Sequence, residues 1–398
     1  MKKSRKWVIL SLFIIPFMFI MQIVLDESIH YPMWMDEYVF YRLSAQIPKY
    51  DSTTDWFYKD RPEVMNWSTD WQTLGFDYTK ALSQIYDNPI YPHTPLVPIL
   101  MSPITKGLNA LADNEVIPHI EEQPGALPVP NQKDPNYKEQ LVDTVLAQRE
   151  ETMTAILRII PMILFAISLF LIFKLLFMKV GLNALLYAFP IIAFRAALSG
   201  TYLFYWDAFM MFFFVLTLYL METRPNGKWH YLTACLMINT KMFIPMLFLI
   251  PLIVKGFTMS KKQGWLMFLP AFSILPFYIA QAIVSGDILY PFSHYIPTIW
   301  VHNFMYTLVD PLHNPDIGFI AFVVMTVPLL FMIRRYPAYA TFLLITLIYG
   351  LGTGLGVTHL STLVYSGALA LPLIAGRFRL VERVLGYEGN SNLIGSKI

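Results

Sequence analysis

Five residues carry the chemistry that this sequence could perform: the adjacent pair Asp36 and Glu37, then Arg158, Asp207 and Lys241. The last three interrupt apolar runs, where insertion scales put the cost of a charge at about 2.5–3.5 kcal/mol at the bilayer centre, so each needs a reason to be there. Two or three acids gathered with two cations suit transfer from a phosphate. The cations neutralise the departing phosphate, and a carboxylate takes the proton of the attacking hydroxyl.

The elements that would position these residues are apolar. Hydrophobic residues make up 56% of the 398 and charged residues 14%, too apolar for a soluble domain of this length. A formal charge of +2, with no basic cluster interleaved with aromatics, gives no sign of a nucleic-acid partner. The single cysteine, Cys235, excludes an internal disulfide and a cysteine-based metal site. The first apolar run, 7–25, follows the basic Met1-Lys-Lys-Ser-Arg-Lys6 and lacks a small-x-small cleavage site. It reads as a retained anchor that keeps its start in the cytoplasm and sends the following residues outside.

Further runs long enough to span a bilayer are 154–177, 182–200, 203–221, 264–284, 317–333, 338–357 and 359–376. The segment 229–254 is either one long helix or a hairpin, and charge chooses between them. Only a hairpin broken near Asn239-Thr-Lys241 keeps Lys255, Lys261, Lys262, Arg334, Arg335 and the basic stretch 377–383 on the cytoplasmic side. The expected fold is therefore an all-α polytopic membrane protein with about ten transmembrane helices and both termini inside. A first module covers 1–256 and a second 257–398. Two external loops follow, 26–152 and 285–316. Within the first, 36–47 and 95–111 have the patterns of helices lying on the membrane surface, and the proline-rich stretch 112–137 reads as irregular. The second carries His294 and Tyr295, candidates for covering the site and receiving an acceptor. On this topology Arg158, Asp207 and Lys241 lie toward the outer leaflet, beside Asp36 and Glu37.

Structural roles compete with these assignments. Asp36 and Glu37 also suit solvated acids in the first turn of a surface helix. Lys241 could snorkel to the interface, and Arg158 could anchor a helix end. Asp207 is too short to snorkel far, although a purely structural partner such as Arg195 is open to it. The outer-loop histidines lack metal-site spacing. No internal repeat favours an inverted-repeat transporter.

Four stretches, in this order, resemble the GT-C superfamily of polytopic glycosyltransferases, most of all its protein O-mannosyltransferase and lipid A aminoarabinose transferase branches. Trp34-Met-Asp-Glu-Tyr38 is similar to the acidic motif opening the first external loop. Tyr91-Pro-His-Thr-Pro-Leu96 is similar to the motif starting the second surface helix. Leu157-Arg-Ile-Ile-Pro161 resembles the Arg-Leu-Pro pattern at the start of the second membrane helix. Trp206-Asp-Ala208 with Asn239-Thr-Lys241 resembles the Asp-Ala/Pro and Thr-Lys pair. The likeness covers roughly 7–256, and the remainder resembles the family in topology alone.

The resemblance implies a glycosyltransferase that moves a sugar from a polyprenyl-phosphate donor to a glycan, lipid or protein acceptor, with inversion. Asp36 would be the base, with Glu37 beside it. Arg158 and Lys241 would contact the donor phosphate, with His93 a secondary candidate, and Asp207 would shape the site. Some relatives carry a divalent metal, which two adjacent carboxylates would suit, although no spacing here requires one. The implied location is a plasma membrane, or the endoplasmic reticulum in a eukaryote, with the site facing away from the cytoplasm. Thr94 stands where the family motif has its first proline. The late Arg-Tyr motif of many relatives is missing, with His359 and Tyr365 in that region. A lipid transporter or flippase and a non-catalytic membrane scaffold remain the alternatives. A topology reporter inserted after Lys262 or Arg383 is expected on the cytoplasmic side and one after Asp316 outside; an outward signal after Lys262 would overturn the hairpin.

Overall fold

The computed structural model describes residues 13–25, 37, 40–41, 44–45, 96–117, 152–193, 201, 206–241, 244–285, 327, 329–330, 333–352 and 361–384. The described residues form helices and turns, with no strand among them. The principal helices are α1 (Phe13–Leu25), α2 (Leu96–Asp113), α3 (Thr152–Val180), α4 (Ala188–Ala193), α5 (Trp206–Thr223), α6 (Trp229–Ile238) and α7 (Ile244–Met259). They continue with α8 (Lys261–Leu266), α9 (Leu269–Phe272), α10 (Leu275–Ser285), α11 (Pro337–Gly352), α12 (Ser361–Phe378) and α13 (Leu380–Val384). By length and composition, three segments are able to cross a bilayer: Thr154–Ile192, Trp206–Thr223 and Lys261–Ala280. Phe13–Leu25, Trp229–Ile238, Ile244–Met259, Pro337–Tyr349 and Val364–Phe378 are shorter apolar helices.

The longest of these segments is not straight. Gly181 follows Val180 at φ 58°, the left-handed conformation that ends a helix and that glycine adopts without a Cβ penalty. A 3-10 turn, Gly181–Tyr187, then runs back along α3. Tyr187 lies 5.6 Å, ring to ring, from Phe173. A continuous helix would separate these two residues by about 21 Å. Thr154–Ile192 is thus two antiparallel pieces, in keeping with the separate runs 154–177 and 182–200. Asn183 secures the reversal: its amide donates to Val180 O at 3.1 Å and its carbonyl accepts from Val381 N–H at 3.0 Å.

Helix α5 is the axis of the bundle. It packs on α3, α6, α7 and α12 and buries residues on all sides, among them Trp206, Phe209, Met210, Phe214 and Leu218. Phe214 stacks on Phe342 of α11 at 4.5 Å and meets Phe248 of α7 edge-on at 6.0 Å. Helix α3 buries one side against this axis and turns Ile159, Ile163, Ile167 and Phe170 outward, an apolar stripe at helical spacing that suits contact with lipid. Trp265, Leu269, Phe272, Ile279 and Ile283 of α8–α10 form another exposed apolar face.

The hairpin expected from charge has its break in place. Helix α6 ends at Ile238, Asn239 and Thr240 form a turn, and α7 begins at Ile244. Glu222, at the far end of α5, receives Lys179 of α3 at 2.7 Å and Lys255 of α7 at 2.8 Å; Tyr339 of α11 donates to it at 3.3 Å. One carboxylate therefore fastens four helices at one end of the bundle. Residues 37, 40–41 and 44–45 are helical, and Tyr41 donates to Asn109 of α2. Gly181→Ala should lower stability by about 1 kcal/mol, because a Cβ disfavours positive φ; detergent thermal unfolding measures it, and an unchanged midpoint would argue against this reversal.

Candidate functional site

Asp207 is the second residue of α5, where the helix dipole favours a negative charge. Lys241 is presented by the turn between α6 and α7. That turn is held by side chains: Asn239 donates to Cys235 O at 2.9 Å and to Ser273 Oγ at 2.7 Å, and Thr240 donates to Met237 O at 2.6 Å. Lys241 Nζ lies 2.9 Å from Asp207 Oδ1 and donates to Tyr349 Oη at 3.3 Å. Tyr349 in turn donates toward Asp207 Oδ1 and Oδ2, at 3.3 and 3.4 Å. All three are buried; Lys241 retains 2% exposure and the others none.

A second pair joins the short helical segment that begins at Glu37 to α3. Arg158 donates Nε–H to Glu37 Oε1 at 3.0 Å and Nη2–H to Oε2 at 2.6 Å. Both residues are fully buried. The planar guanidinium matches the two carboxylate oxygens, a geometry lysine cannot reproduce. Pro161 sits one turn on, where its missing N–H leaves the Leu157 carbonyl without its usual helical partner.

An aromatic contact connects the pairs. Phe40, three residues beyond Glu37, meets Trp206 edge-on at 4.5 Å, and Trp206 immediately precedes Asp207. The path Arg158, Glu37, Phe40, Trp206, Asp207, Lys241 is therefore a run of contacts and chain neighbours. Asp207 is about 22 Å from Glu222 along α5, at 1.5 Å per residue. The two pairs and the Glu222 cluster thus occupy different ends of the axial helix.

Four of the residues expected at the site form two buried ion pairs, Glu37 with Arg158 and Asp207 with Lys241. Glu37 has both oxygens on Arg158, which gives it the geometry of an anchor for the acidic segment. Lys241 and Tyr349 are partners of Asp207. Asp36, His93, Arg195, His294, Tyr295 and His359 lie outside the described residues, as does most of the segments 26–152 and 285–316. Among the described residues no group of three or more His, Cys, Asp or Glu side chains is arranged to hold a metal ion. Sequence reasoning missed Tyr349, because one tyrosine in an apolar run has no local signature.

Compared with protein-family models, curated proteins and solved structures, the chain finds no match. The functional argument accordingly rests on the residues themselves. Both ion pairs are buried, so each acid and each cation faces its partner away from water. An anion entering either pair would have to draw a cation from its carboxylate or share it.

Removing one partner of such a pair takes away a charge facing a buried ion. Glu37→Gln should cost about 3–5 kcal/mol, and Glu37→Gln with Arg158→Met should recover the larger part. Unfolding midpoints of the two variants test this, and equal losses would mean that the pair is not the source of the penalty.

Proposed function

We propose that this chain is a multi-pass membrane glycosyltransferase, using a polyprenyl-phosphate sugar at a site on the extracytoplasmic side. The observation that supports it most is the joining of Glu37 to Arg158. That contact ties the segment bonded to Asp36 to the start of α3. Burying an ion pair is weak evidence for stability, since apolar residues of similar volume often do as well. Two such pairs linked by Phe40 and Trp206 at the same part of the bundle are better explained by a need for charge there.

In this reading Asp36 takes the proton of the acceptor hydroxyl as its oxygen attacks the anomeric carbon. The bond from that carbon to the phosphate oxygen breaks in the same displacement, and the lipid leaves as its phosphate monoester. Glu37 holds the acidic segment in place through Arg158. Lys241 and Arg158 meet the negative charge of the leaving phosphate; a guanidinium has five N–H donors, so pairing with one carboxylate does not exhaust what it can hold. A transporter would need charges spaced along a route through the bilayer. Between Asp207 and Glu222, however, α5 buries Phe209, Met210, Phe214, Val215 and Leu218, which disfavours such a path.

The test pairs a chemical inventory with one substitution. Mass spectrometry of extracytoplasmic glycans and glycoproteins from cells lacking the chain should show a missing sugar. Asp36→Asn, at unchanged abundance in the membrane, should reproduce that loss with activity down at least about 100-fold. Retained transfer by Asp36→Asn removes the base role; an unaltered glycan profile in the deletion removes the enzyme reading.

A further inference from the structure

We propose that Tyr349 is a positioning residue of the phosphate subsite, releasing Lys241 to an incoming phosphate by holding Asp207 in its place. The inference rests on the reading above and concerns a residue in none of the four motif stretches. The geometry is specific. The Tyr349 hydroxyl accepts from Lys241 Nζ at 3.3 Å and donates to the carboxylate of Asp207 at 3.3–3.4 Å, while Lys241 contacts Asp207 directly at 2.9 Å. Three charged or polar groups from α5, α11 and the α6–α7 turn thus close a triangle with no exposed member.

The three sides of the triangle differ in freedom. Asp207 is short and fixed in the first turn of α5. Tyr349 is rigid, and its ring packs edge-on against Phe248 at 5.7 Å. Lys241 has a four-carbon stem and follows a turn, so it is the member able to swing. Moving Lys241 toward a phosphate would take a cation from the buried Asp207 carboxylate, a loss that buried charges resist. The Tyr349 hydroxyl and the helix dipole at the start of α5 persist when it leaves. Without the hydroxyl, Lys241 remains held by Asp207 and the phosphate binds less well.

The experiment measures binding of a long-chain polyprenyl monophosphate to the full-length protein in detergent, with inorganic phosphate as a second probe. Tyr349→Phe should weaken binding about tenfold, the size expected for one hydrogen bond to a charged group. Tyr349→Gln, which keeps a donor, should recover most of it. In a Lys241→Met background the same Tyr349→Phe change should add nothing, a result that a merely structural tyrosine would not give. If that background fails to accumulate, the contrast of Phe with Gln decides alone. Dependence on Tyr349 for both probes assigns the role to phosphate as such; dependence for the lipid alone assigns it to lipid-borne phosphate. Equal binding by wild type and Tyr349→Phe, or a full effect persisting in Lys241→Met, overturns the proposal and leaves the enzyme reading standing. A wild-type protein that binds neither probe overturns the donor reading and this proposal together.

Discussion

Charge neutralisation inside an apolar bundle governs the architecture. An isolated ion in such surroundings costs several kcal/mol even after relaxation, so the packed helices have to bring Glu37 to Arg158 and Asp207 to Lys241. The requirement reaches far along the chain. Glu37 and Arg158 are 121 residues apart, and Asp207 and Tyr349 are 142 apart. Aromatic packing completes the join, with Phe40 against Trp206 and Phe248 against both Phe342 and Tyr349. Polar specificity selects which helices are neighbours, and apolar volume fills what remains.

This division of labour explains what reads locally and what does not. The apolar runs behind the three segments able to cross a bilayer were legible because a helix in lipid must hide its own backbone polar groups. The break between α6 and α7 was also legible, since the charge pattern of Lys255, Lys261, Lys262, Arg334 and Arg335 called for one near Asn239-Thr-Lys241, where α6 ends. The reversal between α3 and the following turn falls at Gly181, in the gap between the runs 154–177 and 182–200. Charges in apolar surroundings also announced themselves, because composition makes them anomalous.

The pairing pattern was not legible. Nothing in the sequence assigns Glu37 to Arg158 or Lys241 to Asp207, because partner choice depends on which helix ends the fold brings together. Tyr349 was invisible for the opposite reason: a tyrosine costs little in an apolar helix and so attracts no notice until its hydroxyl is placed. Glu222 is a related case. Standing at the end of an apolar run, it resembles any solvated boundary residue, yet it takes two lysines and a tyrosine. Function is one step further removed, since acids and cations gathered in a bundle carry the same geometry whether they bind a substrate or only one another.

The Glu222 cluster has a mechanical consequence. By gathering α3, α5, α7 and α11 on one carboxylate, it makes a fulcrum at one end of the bundle. Helices pinned there cannot slide past one another along their axes without pulling Lys179 or Lys255 away. Displacement at the far end becomes a splaying or tilting of rods about that pin, and the leverage is greatest where Asp207 and Lys241 meet.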